Sequence, residues 1–203
     1  MSDVVLVLHG WGGNKPDHWQ EHLVADLRAE GVNVVYPKFT NPMAPNLEIW
    51  LDELERVVAE IPEDDSITVL AHSLGAILWM HYAAAAVDSE PPVRAERVLL
   101  VAPPYVIREI PPLDAPPGAA EFFPPPLSAE GIKSVAAETI LVSSDTDDYS
   151  TFDQSAAYAH GLGIAIEKLA GAGHISPYYG YGKWPWVLEW TTKRADLPAV
   201  PNN

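Results

Sequence analysis

The sequence contains no cysteine among its 203 residues. This absence excludes disulfide bonds, cysteine-ligated zinc, iron–sulfur clusters and thiol catalysis. Basic residues are also few, since 12 lysines and arginines stand against 28 aspartates and glutamates and leave a net charge of −16. Such a field repels polyanions on average, so neither a nucleic acid nor an anionic membrane is expected as a partner.

Long apolar segments are missing as well. No apolar run is long enough to span a bilayer. The first ten residues have no basic region, and their apolar stretch is too short for a signal peptide. We therefore expect a cytoplasmic protein. Apolar residues make up 48% of the chain, which predicts a globular fold, and the length suits one domain over residues 1–203.

Short apolar runs alternate with helical patterns along the chain. This alternation is typical of βα units on a largely parallel sheet and predicts an α/β fold with about six mostly parallel strands. Asn46 is a candidate cap for a helix that runs to about residue 61. The predicted strands cover residues 4–8, 32–36, 66–70, 97–102, 138–143 and 164–169. The predicted helices cover residues 18–29, 46–61, 75–87, 150–160 and 184–191.

One segment has a biased composition. Residues 103–126 contain nine prolines, which remove backbone donors and block helix formation. We interpret the segment as an ordered surface loop between two strands. Because it follows the carboxyl end of a strand, it is expected near the ligand crevice of an open α/β sheet and is a candidate wall of that crevice. The alternative is a rigid connector.

The strongest local motif is Thr68-Val69-Leu70-Ala71-His72-Ser73-Leu74-Gly75. A buried strand runs through a tight turn into a helix, which is the arrangement of a nucleophile elbow with Ser73 exposed above the sheet. Ala71 and Gly75 are the small residues that let strand and helix approach, although glycine is usual at both places. The alternative is that Ser73 only caps the helix. We interpret His72 as structural, because an adjacent side chain in an elbow points away from the nucleophile.

A glycine-rich turn, His9-Gly10-Trp11-Gly12-Gly13-Asn14, follows the first predicted strand. Such a turn can present backbone N–H groups to an anion, and acyl transfer needs two donors aimed at the developing oxyanion. The amides of Trp11 and Leu74 are the candidates for this oxyanion hole. A phosphate loop is not predicted, because neither GxxxxGK[ST] nor GxGxxG is present.

The candidate base is His174, which follows the last predicted strand in Ala170-Gly171-Ala172-Gly173-His174. Histidine suits general-base chemistry near neutral pH. The third group must orient the imidazole, and the chain order requires an acid between serine and histidine. Asp145, Asp147 and Asp148 all meet that requirement.

Two further sets of residues carry weaker signals. His18 and His22 have a spacing that can hold a metal, but HExxH is missing and no third ligand is obvious, so packing or surface positions are expected. Six aromatic residues could line a pocket, although a core position is expected for each. They are Trp11, Trp19, Phe122, Phe123, Tyr149 and Tyr178.

The motifs HGWGGN, AHSLGA and GAGH together resemble the α/β-hydrolase superfamily. Within it, the chain is similar to the retinoblastoma-binding protein nine family of small serine hydrolases. Further likenesses are His18-Trp19, VLLVAPP at 98–104, SSDTDDY at 143–149 and Trp184-Pro185. The resemblance implies a three-layer α/β/α sandwich without a large lid and a Ser-Asp-His triad.

The resemblance also ranks the three acids. Members commonly carry an aspartate followed by proline and an aromatic residue. The matching position is Asp147, with Asp148 where proline usually stands and Tyr149 as the aromatic residue. The resemblance therefore implies Asp147 first, Asp145 second and Asp148 third.

The resemblance also implies a preference for small acyl esters. The expected activity is therefore that of a serine hydrolase of the carboxylesterase type, which acts through an acyl-enzyme and needs no metal or other cofactor. The expected partner is a small-molecule ester; a protein partner stays open, although nothing in the sequence points to one. Two alternatives stay open. One is an amidase or thioesterase that uses the same triad. The other is a non-catalytic binding or regulatory protein that retains the fold.

Overall fold

The computed structural model describes residues 3–88, 94–105 and 117–193. One sheet with the order β2-β1-β3-β4-β5-β6 forms its centre, and all neighbouring strands are parallel. The predicted α/β fold with about six strands is confirmed. The strands are β1 (Asp3–Leu8), β2 (Asn33–Val35), β3 (Ser66–His72), β4 (Ala95–Val101), β5 (Ala136–Ser144) and β6 (Ala165–Leu169).

Helices cover both faces of the sheet, so the described residues form a three-layer sandwich. The helices are α1 (Trp19–Ala29), α2 (Leu47–Ala59), α3 (Leu74–Ala85), α4 (Ala129–Val135), α5 (Phe152–Leu162) and α6 (Pro185–Lys193). Helices α1 and α6 pack on one face, and α2 to α5 pack on the other. Among the described residues, no additional layer or large lid covers the sheet.

Alternation within the strands explains the two cores. In β1, Val4, Leu6 and Leu8 belong to the core under α2 to α5, whereas Val5 and Val7 belong to the core under α1 and α6. Successive side chains of a strand point to opposite faces, so a strand that is apolar throughout must be buried on both sides. The continuous apolar runs of the sequence therefore place β1, β3 and β4 at the centre of the sheet.

Successive strands are added on opposite sides of β1, so the strand order of the sheet reverses between β2 and β3. After β1 the chain adds β2 on one side, and β3 then pairs with the other side of β1. The segments that follow β1 and β3 therefore diverge at the carboxyl edge of the sheet. In open α/β sheets this reversal opens the crevice in which ligands bind. The glycine-rich turn at 9–14 and Ser73 both lie at this point.

Several element boundaries differ from the predictions. Helix α2 begins after its Asn46 cap as predicted but ends at Ala59, because Pro62 disfavours helical backbone at the residue before it. Helix α5 begins at Phe152 rather than residue 150, since Thr151 and Gln154 form a capping box. Strand β2 is limited to three residues at the edge of the sheet. The structure also contains α4, which the sequence analysis missed.

Two sequence expectations extend beyond the described residues. Residues 106–116 of the proline-rich segment, and residues 1–2, 89–93 and 194–203 of the predicted domain, lie outside them. Within the described part of the chain, none of the helices combines the length and apolar character needed to cross a membrane.

Candidate active site

Ser73 occupies a sharp turn between β3 and α3. Its backbone has φ 54° and ψ −124°, a conformation that non-glycine residues rarely adopt. The Ser73 amide donates to the carbonyl of Val101 at 2.9 Å, which ties the turn to the neighbouring strand β4. The Ser73 side chain makes no capping bond to α3. The helix-cap alternative is therefore wrong, and the hydroxyl is available to another partner.

Two glycines let the segments around Ser73 approach closely. A Cβ at Gly75 would lie 2.6 Å from the carbonyl oxygen of His9 and 2.8 Å from that of Leu8. A Cβ at Gly10 would lie 2.8 Å from the Cβ of Ser73. Side chains are excluded at both positions, because these distances are shorter than van der Waals contact. The turn after β1 therefore packs directly against Ser73.

His174 connects Ser73 with Asp147. The Ser73 Oγ lies 2.9 Å from His174 Nε2, and His174 Nδ1 lies 2.9 Å from Asp147 Oδ2. A carboxylate only accepts hydrogen bonds, so Nδ1 carries the proton and Nε2 is left to accept from the serine hydroxyl. The Asp147 side chain is fully buried. Its Oδ1 also accepts from the Tyr149 amide at 2.8 Å, which fixes the carboxylate.

The loop that carries His174 is clamped by the loop that carries Asp147. Three side chains, one at the end of β5 and two just after it, accept hydrogen bonds from three successive amides after β6, with N···O distances between 2.8 and 3.1 Å. The pairs are Asp145 with Gly171, Ser144 with Ala172, and Thr146 with Gly173. Neither Ser144 nor Thr146 was predicted as a site residue. The signal for them is a run of short polar residues at the end of one strand, opposite a glycine-rich turn after the next.

The three candidate acids thus have three different partners. Only Asp147 contacts the His174 ring, while Asp145 accepts from the Gly171 amide. Asp148 accepts from the Tyr179 hydroxyl. The carboxylate contacting the ring is the one ranked first from the resemblance.

His72 lies beside His174 but does not contact the Ser73 hydroxyl. Its Nε2–H donates to the backbone carbonyl of His174 at 3.0 Å, and the two ring centroids are 5.1 Å apart. Complete burial lowers the pKa of His72 well below its usual value, and the nearby His18 and His174 add to the effect. His72 is therefore a neutral donor that holds the loop of His174.

The turn after β1 is held by His9. The His9 Nδ1–H donates to the Gly10 carbonyl at 2.8 Å, and its Nε2 accepts from the Phe39 amide at 3.1 Å. Burial lowers the pKa of His9, which keeps the ring neutral and able to make both bonds. Trp11 and Leu74, the candidate oxyanion-hole residues, both line the cleft that contains Ser73.

This cleft has a volume of about 580 Å³, which suits a small ligand. Ser73 and His174 both line it. The described ends of the proline-rich segment form part of its wall through Pro104, Ala119, Ala120 and Phe123. These residues support the interpretation of that segment as a crevice wall.

The expectation that each candidate aromatic residue fills the core is wrong for three of the six. Trp19 and Phe122 are fully buried, as predicted, and Phe123 packs against the core while it also lines the cleft. Trp11, Tyr149 and Tyr178 line the cleft and are exposed. The physical reason is position, because these three lie in connecting segments beyond the strand ends and not on a face of the sheet. Tyr149 packs against the ring of His174 with centroids 4.5 Å apart.

His18 and His22 do not form a common site. His18 lines the cleft, whereas His22 lines a smaller groove that also contains Asp26 and Trp184. The His18 Nδ1 accepts from the Gln20 amide at 3.2 Å and caps α1. Among residues 3–88, 94–105 and 117–193, no group of three His, Asp or Glu side chains is arranged to hold a metal ion.

Comparison with known proteins gives both a family and a fold. A family described as serine hydrolase matches residues 5–192. The curated YdeN protein of Bacillus subtilis is 35% identical over 75 residues, which are 37% of this chain and 38% of that protein. The matched segment therefore spans well under half of this relative.

Solved structures share the fold over nearly the whole chain. The ydeN gene product of Bacillus subtilis has a TM-score of 0.75 at 24% identity and covers 95% of this chain and 98% of its own. A YdeN-like protein from Pectobacterium atrosepticum has a TM-score of 0.66 at 17% identity, with coverages of 94% and 89%. Est1E from Butyrivibrio proteoclasticus has a TM-score of 0.67 at 16% identity, with coverages of 95% and 86%.

Proposed function

The chain belongs to the serine hydrolase family, within the α/β-hydrolase superfamily, and from that premise we propose that it hydrolyses small acyl esters through a covalent acyl-enzyme. Ser73 is the proposed nucleophile, His174 the general base and Asp147 the acid that orients it. The observation that carries the proposal is the continuous chain of hydrogen bonds from Ser73 Oγ through His174 to Asp147.

In the acylation step, the Ser73 hydroxyl transfers its proton to His174 Nε2 while Oγ forms a bond to the ester carbonyl carbon. The carbonyl π electrons move onto oxygen and give a tetrahedral oxyanion. When this intermediate collapses, the bond from carbon to the alcohol oxygen breaks, and the alcohol takes the proton from His174. Asp147 stabilises the transient imidazolium charge without accepting the proton.

In the deacylation step, water gives a proton to His174 and attacks the acyl carbon, and Ser73 leaves with that proton. The amides of Trp11 and Leu74 are proposed to bind the oxyanion in both steps. Helix α3 begins at Leu74, and the partial positive charge at the N-terminus of this helix favours an anion there. The close packing of Gly10 against Ser73 supports this arrangement, because it brings the turn of Trp11 beside the nucleophile.

Labelling with a fluorophosphonate probe tests the proposal. The probe forms a phosphorus–oxygen bond with an activated serine and releases fluoride. We expect the wild-type protein to be labelled and Ser73→Ala to be unlabelled, with kcat for an activated ester reduced by about 10⁴-fold or more. Ser134→Ala, on α4 and outside the cleft, is the matched control and should label like the wild type.

The same protein samples distinguish the alternatives. A folded wild-type protein that neither labels nor hydrolyses any activated ester would contradict the proposal and favour a non-catalytic binding protein. If labelling occurs, an oxygen ester, a thioester and an amide with one shared acyl chain are compared. We expect the highest kcat/KM for the oxygen ester, and a higher value for the thioester or the amide would favour that alternative.

We also infer, within the serine hydrolases, a place near the retinoblastoma-binding protein nine family. This narrower assignment is supported by the motifs HGWGGN, AHSLGA, SSDTDDY and GAGH, each of which contributes at least one residue to the cleft lining. The single domain over residues 1–203, the cytoplasmic location and the small-molecule partner stay predictions.

A further inference from the structure

The two walls of the cleft differ in character. On the side of α2 to α5, the wall is apolar and consists of Pro104, Ala119, Ala120 and Phe123, the last packed against the core of that face. The segment between β1 and α1 supplies Gly10, Trp11 and Gly13 and, after them, four polar residues that we call the polar wall: Asn14, Lys15, Asp17 and His18. Ser73 and His174 also line the cleft.

His18 is the most buried residue of the polar wall. His18 is 6% exposed and lines the cleft. Burial lowers its pKa to about 4, with His174 as a further cause, so the ring is neutral at physiological pH. The backbone N–H of Gln20 donates to His18 Nδ1, so the proton of the neutral ring is on Nε2. The bond to Nδ1 fixes the ring, so Nε2–H is the donor that His18 can offer to a ligand in the cleft.

Asn14 supplies the matching acceptor. Its Nδ2 donates to Gln20 Oε1 and to the Tyr36 hydroxyl, both at 2.6 Å. These two bonds use the Nδ2 donor and fix the amide, so Oδ1 is the acceptor that Asn14, a lining residue of the cleft, can offer to a ligand. A fixed donor and a fixed acceptor on one wall are the pair that a hydroxyl group requires, because a hydroxyl both accepts and donates.

The direction of proton transfer in the proposed reaction determines which half of the ester lies against the polar wall. In the proposed reaction His174 returns its proton to the leaving alcohol, so the alcohol half must lie beside His174 Nε2. The ring of His72 lies 5.1 Å from that of His174, and the ring of His18 lies 4.9 Å from that of His72. This row of rings extends from His174 to the polar wall. The acyl half then faces the apolar wall.

We propose that the polar wall, through His18 and Asn14, recognises hydroxyl groups on the alcohol half of the substrate, while the apolar wall takes the acyl chain. The substrate class is therefore an ester between a short apolar acid and a polyol. This inference rests on the proposed function, and it assigns a specificity role to His18 that the triad does not require.

The test uses two butyrate esters with the same acyl chain and the same number of alcohol carbons, 1-monobutyrin and propyl butyrate. Butyrate release is followed by titration. We expect wild-type kcat/KM to be about tenfold or more higher for monobutyrin. His18→Asn should lower this ratio by about five- to tenfold, the value of one neutral hydrogen bond. Asparagine retains the cap of α1 but lacks a donor at the position of Nε2.

His22→Asn is the matched control, because His22 is on the same helix and lines the other groove. It should leave the ratio unchanged. A wild-type ratio near one, or an unchanged ratio in His18→Asn, would overturn this inference while ester hydrolysis by Ser73 stands. Failure of the proposed function gives a different result, which is no labelling and no hydrolysis of either ester.

A second measurement needs only the wild-type protein. Its butyryl-enzyme is allowed to partition between water and an added alcohol, which forms the new ester bond and passes its proton through His174 to Ser73. At equal alcohol concentrations, the amount of butyrate ester formed per primary hydroxyl group should be at least about fivefold higher with glycerol than with 1-propanol. Equal capture by the two alcohols would contradict the inference, whatever the stability of the variants.

Discussion

The Nε2–H of His72 donates a 3.0 Å hydrogen bond to the backbone carbonyl of His174, so the residue before the proposed nucleophile holds the loop of the proposed base. Both residues line the cleft, and β3 and β6 lie three positions apart in the sheet. The bond therefore joins two loops that the sheet alone does not bring into register. This makes His72 a positioning residue in the proposed reaction.

Replacing His72 by leucine should lower kcat by about tenfold and leave KM within about threefold. The reason is that the backbone carbonyl of His174 loses its hydrogen-bond donor, and the His174 imidazole is then no longer held in position. An orphaned buried carbonyl costs about 1–3 kcal/mol. His72→Gln retains an N–H donor and should recover most of the lost kcat. Steady-state kinetics on one ester checks this, and an equal loss in both variants would indicate that the histidine ring itself is needed.

Matched asparagine variants of the three aspartates should separate their roles. Asp147→Asn removes the charge beside His174 Nδ1 and should lower kcat by about 10⁴-fold, since the imidazole loses its tautomer and its counter-charge. Asp145→Asn and Asp148→Asn retain an oxygen that can accept from Gly171 and Tyr179, so their kcat should stay within about threefold of wild type.

The measurement is kcat for one activated ester in all three variants, with circular dichroism to verify folding. A loss in Asp145→Asn or Asp148→Asn as large as that in Asp147→Asn would contradict the assignment of the acid.

The sequence allowed much of the central sheet to be predicted. Residues 4–8 and 98–102 are apolar throughout, and 66–70 contain only Ser66 and Thr68 as polar residues, a composition typical of strands buried on both faces. The edge strand β2 was harder to bound, because partial burial weakens its pattern. Helix α4 was missed because seven residues are too few to establish a helical period.

The site was predictable where backbone geometry requires particular residues. Gly10 and Gly75 lie where a Cβ would collide, and Ser73 follows a strand that ends in a sharp turn. The clamp around Gly173 was not predictable, because it depends on two loops that only tertiary packing brings together. The proline-rich segment was predicted as a candidate crevice wall from its place after a strand, but the sequence did not show that Phe123 faces the cleft. Short polar residues and prolines carry no periodicity that would show these contacts.

The two small residues that flank Ser73 should respond differently to exchange. Gly75→Ala places a Cβ 2.6 Å from the His9 carbonyl oxygen and must separate β1 from α3. We expect it to lower the free energy of unfolding by about 2–3 kcal/mol. Ala71→Gly restores the usual glycine and removes one buried methyl group, so it should lower that free energy by about 1–2 kcal/mol and change kcat by less than about threefold.

Urea denaturation gives both free energies. A Gly75→Ala protein as stable as the wild type would show that strand and helix can separate without cost, against the observed contacts.

Acid should destabilise the protein before its carboxylates titrate. Burial lowers the pKa of His18 to about 4, while an unfolded histidine has a pKa near 6.5. The unfolded state therefore binds the proton first, and stability present at neutral pH is lost as pH falls from about 6.5 towards 4. At pH 5 the loss from His18 amounts to about 2 kcal/mol, at about 1.4 kcal/mol per pH unit. His9 and His72 act in the same direction.

The free energy of unfolding, measured by urea at pH 7 and pH 5, checks this prediction. In His18→Asn the free energy of unfolding should change less between pH 7 and pH 5 than in the wild type, by about 2 kcal/mol, because asparagine does not titrate. His160→Asn, which replaces an exposed histidine at the end of α5, is the control and should retain the wild-type difference. Equal stability of the wild-type protein at both pH values would mean that these buried histidines accept protons without unfolding.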